Sequence, residues 1–187
     1  MSIADPSISD ISSVTEKFSE DILPKNMPDD IKEKIKAGYE GKDVLTKLEF
    51  THPNNALLDL DEESHGTQKF FAYSGYWIDA LENGKVVVVD ELDNSLHPLA
   101  VRFLINLISD PEKNKNNSQL IFSTHDTSLL DSNIFRRDQI WFVEKDKHNA
   151  TQLYSLLDFS PRKDEAIGRG YLQGRYGALP YIGDWSI

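Results

Sequence analysis

Lys85-Val86-Val87-Val88-Val89-Asp90-Glu91 is the stretch on which the fold turns. Four consecutive valines put β-branched side chains on both faces of a strand, the pattern of a buried parallel strand rather than of an edge hairpin. The run ends on two adjacent carboxylates. In open parallel sheets ligands gather at the carboxyl ends of the strands, so Asp90 and Glu91 are aimed at a candidate site. Alternation sends neighbouring side chains to opposite faces, so the two cannot share one role unless the strand ends between them.

On the upstream side, Gln68 to Leu81 carries Phe70, Phe71, Ser74, Trp77, Ile78 and Leu81 on one helical face and stops at Gly84. Further back the sequence predicts a helix over Pro28–Ala37, with Ile31 and Ile35 at i, i+4 and Gly38 as its stop. It also predicts a strand at Val44–Phe50 and, after the Pro53-Asn54-Asn55 turn, a short strand at Ala56–Leu60. Residues 1–27 show no sustained period. Residues 1–40 therefore read as a loosely structured lead-in with one short helix, ahead of a domain spanning 41–187.

Downstream, Pro98 opens a helix whose expected buried stripe is Leu99, Phe103, Leu104 and Leu107. The polar run Glu112–Asn117 leads into a strand at 118–123. A helical turn near Ser128–Leu130 precedes strands at Gln139–Glu144 and Ala150–Tyr154. Strand, helix and strand in succession imply parallel pairing through right-handed crossovers, hence the α/β class.

Composition narrows the function classes. The 187 residues, 39% apolar and 27% charged, suit one globular domain able to bury a core. There is no cysteine, which excludes disulfides and thiolate metal sites. No apolar run approaches the ~20 residues of a membrane span, and the start of the chain lacks an apolar signal core. A cytoplasmic location without a membrane partner is expected. The net charge of −11 is concentrated upstream: residues 1–131 hold 12 Lys/Arg against 24 Asp/Glu, and residues 132–187 hold 8 against 7. An acidic surface repels phosphate backbones, so this chain alone is not expected to bind nucleic acid directly.

Several residues carry candidate chemistry. Ser64-His65-Gly66-Thr67 opens the helix before Gln68, where free N–H groups and the helix dipole favour an anion. N-capping by Ser64 or Thr67 accounts for the same residues. His125 closes the strand 118–123, placed to donate to a γ-phosphate or to pair with Asp126 or a carbonyl. Arg136-Arg137-Asp138 reads as surface charge. The basic, glycine-rich segment 168–177 reads either as anion-binding turns or as a tight structural corner. Asp90, Glu91, Asp93, His97, His125 and Asp126 lack the H-x-H or H-E-x-x-H spacing of a metal hydrolase.

Order and spacing join these pieces. Asp90 follows Ser64 by 26 residues and precedes His125 by 35, with Leu92-Asp93-Asn94-Ser95-Leu96-His97-Pro98 between them. The sequence from about Asp61 to Asp131 resembles the C-terminal half of an ABC-type ATPase core, with signature loop, Walker B, D-loop and switch histidine in turn. The string Asp90 to Pro98, and Gly170-Tyr171-Leu172-Gln173-Gly174-Arg175-Tyr176-Gly177-Ala178, resemble the abortive-infection, OLD-like AAA ATPases of bacterial phage defence. That resemblance covers roughly residues 40–180.

The resemblance implies a P-loop NTPase fold of the ABC-ATPase kind, mostly parallel sheet flanked by helices, using ATP and Mg²⁺. It implies that Asp90 serves the magnesium shell, Glu91 acts as general base and His125 senses the γ-phosphate. Asp93 and Ser95 would lie in a D-loop across a dimer interface. Ser64, Gly66 and Thr67 would meet the nucleotide held by the opposite protomer of a head-to-tail dimer. His65 and Thr67 depart from the common signature, standing where it has glycine and glutamine. The larger departure is that no G-x-x-x-x-G-K-[ST] loop occurs; Gly41-Lys42 and Gly84-Lys85 are the only Gly-Lys pairs, and neither has the flanking residues. The expectation is an ATP-hydrolysing module that needs a Walker A half from elsewhere and is inactive alone. The alternative is a non-enzymatic dimerisation or regulatory module that lends its signature loop to a partner ATPase.

Overall fold

The computed structural model describes residues 8–162 and 165–180. It divides into two compact units, one built from the chain up to Val89 together with Asn94–Ile121, the other from Asp90–Asp93 together with the chain from Phe122 onward.

In the first unit β1 (Asp10–Lys17), β2 (Asp43–Thr51) and β3 (Leu57–Asp59) form an antiparallel sheet with β2 in the middle. β1 lies where the sequence reading places no strand. Asp-Ile-Ser-Ser-Val-Thr-Glu-Lys alternates poorly, and its extended state comes from pairing with β2, Asp10 opposite Thr51 and Lys17 opposite Asp43, around a bulge between Val14 and Thr15. Between these strands runs α1 (Asp29–Tyr39), which buries none of its residues.

α2 (His65–Asn83) ends at Gly84, whose φ of +64° is left-handed. A Cβ there would stand 2.5 Å from the Asn116 carbonyl oxygen, so this cap requires glycine. The Asn116 amide in turn donates to the Leu81 and Glu82 carbonyls at 2.8 and 2.9 Å, closing the helix end. α2 buries Phe70 and Trp77 as expected, whereas Ile78 faces out. The Trp77 indole N–H donates to the Leu104 carbonyl at 2.9 Å in α3 (Pro98–Ser109), and the Phe70 and Phe103 rings lie 6.1 Å apart. That contact sets the rotation of α3. Its buried stripe is Val101, Leu104, Ile105 and Ile108, turned from the expected one, and Leu99 in the first turn is exposed.

β4 (Val86–Val89) and β5 (Gln119–Phe122) pair as a two-stranded parallel sheet, entered by a hydrogen bond from the Gln119 N–H to the Lys85 carbonyl at 3.1 Å. The expectation of a mostly parallel sheet is corrected: among the described residues this is the parallel pair, and the other ladders are antiparallel. Nor is β4 buried on both faces. Val86, Val88 and Ile121 are 54%, 73% and 58% exposed, because two strands with helices on one side leave the other side uncovered among the described residues.

In the second unit β6 (Trp141–Lys145) and β7 (Thr151–Ser155) form an antiparallel hairpin. Its core is Ile140, Phe142, Leu156, Ile167 and Tyr176, and Tyr171 stacks on Phe142 with ring centroids 5.6 Å apart. The glycine-rich segment, which begins in α4 (Ile167–Leu172), is a structural corner. A Cβ on Gly170 would come within 3.0 Å of the Tyr176 ring. The Tyr154 hydroxyl donates to the Tyr176 carbonyl at 2.9 Å, and the Ala178 N–H donates to Glu144 Oε2 at 2.7 Å. Arg175 pairs with Glu165 at 2.6 Å, and Glu165 also accepts a hydrogen bond from the Tyr176 hydroxyl. Arg136 pairs with Asp138 at 2.9 Å, and Arg137 donates to the Pro161 carbonyl at 2.7 Å. Among the described residues no helix is long and apolar enough to cross a membrane.

This corner makes stability depend on pH from both sides. Burial, with the Glu165 carboxylate as acceptor, pushes the Tyr176 phenol up to about 12, from an ordinary value of about 10. A raised folded-state value contributes stability that is complete below about pH 10 and is lost as pH rises through about 12. Glu165 is held below the ordinary glutamate value, chiefly by the Tyr176 hydroxyl, so its contribution is lost in acid as pH falls through that lowered value. Tyr176→Phe is expected to lower the melting temperature at neutral pH and to flatten the loss between about pH 10 and 12. Thermal melts at stepped pH measure this; an unchanged alkaline slope in the variant would contradict it.

Candidate functional site

β4 and β5 are paired, and the residues that follow each belong to the second unit. From β4 come Asp90, Glu91, Leu92 and Asp93; from β5 come Ser123, Thr124, His125 and Asp126. The strand ends at Val89, so both carboxylates lie in the turn that follows it and strand alternation does not set their directions. Glu91 has φ +49°, a left-handed conformation that costs a non-glycine residue on the order of 1–3 kcal/mol and is kept only where surroundings enforce it.

The enforcement is visible. The Glu91 N–H donates to the Ser123 hydroxyl oxygen at 2.8 Å, the Leu92 N–H donates to the Ser123 carbonyl at 3.0 Å, and the Ser123 hydroxyl donates to Asp90 Oδ1. A reciprocal strap runs the other way, with the His125 N–H donating to Asp93 Oδ1 at 3.3 Å. Burial works to raise the Asp93 carboxyl, but hydrogen bonds from the Thr124 hydroxyl, its own N–H and the His125 N–H, with the nearby imidazole, hold it below the ordinary aspartate value. Asp93 is therefore a carboxylate at neutral pH, spent on bracing the histidine turn of its own chain.

The straps leave His125 Nε2 3.8 Å from Glu91 Oε1, with the two side chains 85% and 52% exposed. That separation exceeds a hydrogen bond, and both groups are open to a ligand. His125 does not pair with Asp126, which caps the next turn through a 2.8 Å bond from the Ser128 N–H. Asp90, Glu91, Asp93 and His125 are thus brought together in one unit.

Ser64, Gly66, Thr67 and Ser95 belong to the first unit. Ser64 caps α2: its hydroxyl oxygen accepts the Thr67 N–H at 3.1 Å and lies 2.9 Å from the Thr67 hydroxyl. Gln68 ties the preceding loop, donating to the Asp61 and Glu63 carbonyls at 3.2 and 2.8 Å, and the buried Glu63 carboxyl lies 2.8 Å from His52 Nε2. Capping therefore uses the Ser64 and Thr67 side chains, while the N–H groups of His65 and Gly66 in the first turn have no partner among the described residues. A Cβ on Gly66 would come within 3.0 Å of the Ser95 carbonyl, so glycine permits close approach of the Asn94–Ser95 turn. His97 is the N-cap of α3, its Nδ1 accepting the Leu99 N–H at 3.2 Å.

Ser123 and Thr124 are residues of the candidate site that sequence reasoning missed. They stand immediately before His125, but their partners lie more than thirty positions upstream, and no local pattern marks such contacts.

Over residues 3–131 the chain matches the family described as "AAA domain, putative AbiEii toxin, Type IV TA system". β6, β7 and α4 lie beyond that match. No curated protein sequence matches the chain. A solved structure described as "Structural biochemistry of ATP-driven dimerization and DNA stimulated activation of SMC ATPases" is similar at 14% identity, covering 81% of this chain and 83% of that chain with a TM-score of 0.46.

Proposed function

The chain belongs to this AAA domain family, and from that membership we propose that its 187 residues supply the carboxylate, histidine and signature-loop part of an ABC-type ATP-hydrolysing site whose P-loop comes from outside them. Glu91 carries the reading: an acidic residue in a strained conformation at the end of a parallel strand, facing a histidine across 3.8 Å.

The cofactors fit this division of labour. Among the described residues no group of three or more His, Asp or Glu could hold a metal ion. Magnesium, however, is ordinarily held by one or two carboxylates and completes its shell with water and phosphate oxygens. A lone Asp90 suits an ion that arrives with a nucleotide and does not suit a resident one. When bound, the ion would neutralise charge on the phosphate oxygens. Glu91 would orient a water and take its proton. His125 would donate a hydrogen bond to the terminal phosphate, and Asp93 would keep the histidine turn in place. The unpartnered N–H groups of His65 and Gly66, at the positive end of α2, would meet the phosphates of a nucleotide held by the opposite protomer, with Ser64, Thr67 and Ser95 shaping that approach. The arrangement is a head-to-tail dimer.

The uncovered face of β4 and β5 supports the need for a complement. A parallel sheet is stable when both faces are covered, and Val86, Val88 and Ile121 present apolar surface with no cover among the described residues. We assign that cover to the P-loop half and the assembly to a cytoplasmic, OLD-like phage-defence system of the abortive-infection kind. ATP turnover with and without a P-loop-bearing polypeptide tests the proposal.

A further inference from the structure

We propose that Ser123 is a positioning residue that locks Asp90 and Glu91 into a single geared unit. One hydroxyl performs both tasks. Its proton goes to Asp90 Oδ1, and its oxygen accepts the Glu91 N–H at 2.8 Å, the bond that holds Glu91 at φ +49°. The Leu92 N–H to Ser123 carbonyl bond, at 3.0 Å, fixes the same turn one residue on. Without the hydroxyl, Glu91 keeps a left-handed backbone with no side chain to enforce it, and the turn relaxes toward ordinary φ. Its carboxylate then leaves the position opposite His125, and Asp90 loses the donor that orients it. Alanine cannot supply this geometry. Threonine can, because it retains a hydroxyl on Cβ.

The functional half of this inference rests on the ATPase reading; the structural half does not, and the experiment separates them. In the isolated 187-residue chain, Ser123→Ala is expected to speed amide hydrogen exchange at Glu91 by about tenfold relative to wild type, with the Val87 and Val89 amides unchanged and Ser123→Thr within about twofold of wild type. Unchanged exchange at Glu91 in Ser123→Ala overturns the inference. General loss of protection through β4 and β5 overturns it as well, since Ser123 would then be holding the strands rather than the turn.

In a complex of the chain with the P-loop-bearing polypeptide, Ser123→Ala is expected to lower kcat for ATP by about a hundredfold with KM within about threefold, and Ser123→Thr to restore kcat. A fall in affinity with kcat preserved would contradict the positioning role. A wild-type complex that turns over no ATP would remove the ATPase reading, while exchange at Glu91 still decides whether Ser123 holds the turn.

Discussion

Glu91→Gln is expected to leave ATP bound to the complex of this chain with its P-loop half while slowing hydrolysis by roughly 10²–10⁴-fold, the usual contribution of a positioned general base. The substitution keeps the shape and the left-handed turn, since Ser123 holds Glu91 through its N–H rather than its carboxyl. What it removes is the ability to accept a proton from water. Under the proposed division of roles nucleotide affinity should change little, because other groups would hold the phosphates. Trapped ATP and single-turnover rates measure the two effects separately. A variant that hydrolyses at the wild-type rate would show that Glu91 is not the base. It would then favour the alternative in which the chain lends its signature loop to a partner without contributing chemistry.

The second large effect concerns the bare sheet face. Val88→Asp should be nearly silent in the isolated chain, because the side chain is already 73% exposed and surface substitutions seldom exceed about 0.5 kcal/mol. In the complex it should be severe. Fully burying a valine or isoleucine is worth roughly 1.5–3 kcal/mol, and more than half of Val86, Val88 and Ile121 remains available for burial. Losing part of that gain and burying an unpaired carboxylate should weaken association by about 3 kcal/mol or more, on the order of a hundredfold. Titration calorimetry against the P-loop half measures the change. Equal affinities for variant and wild type would mean that another surface receives the partner.

What the sequence made legible were features encoded locally. The α2 helix announces itself through its aromatic spacing, the Ser64 cap and the Gly84 stop, and the structure extends it only to His65–Asn83. Pro98 encodes the start of α3 in the same way, as proline at the first helical position. Features that depend on a distant partner were not legible. β1 is extended only because β2 lies beside it. The stripe on α3 is set by the contact of Trp77 with Leu104, so Leu99 could be placed on the wrong face. Four valines look alike in sequence whether one face is covered or two, so the exposure of Val86 and Val88 among the described residues was not legible in them.

The site divides along the same line. Asp90, Glu91, Asp93 and His125 were marked by residue type and order, but their mutual geometry depends on Ser123 and Thr124 reaching across more than thirty positions. Asp93 shows the difference most clearly: its carboxylate accepts the His125 N–H, a contact across 32 positions that no local pattern marks. In the glycine-rich segment the packing of Tyr176 against Gly170, which makes a tight corner, is a contact the sequence did not display.

The most direct measurement is magnesium-dependent ATP turnover by the purified 187-residue chain, alone and then mixed with a P-loop-bearing polypeptide, sought first in the adjoining reading frame. Background turnover alone, and turnover that appears on mixing and is abolished by Glu91→Gln, is the expected result. Robust turnover by the chain alone, sensitive to Glu91→Gln, would show that these residues build a complete site without a P-loop from outside, and the half-site reading would be wrong.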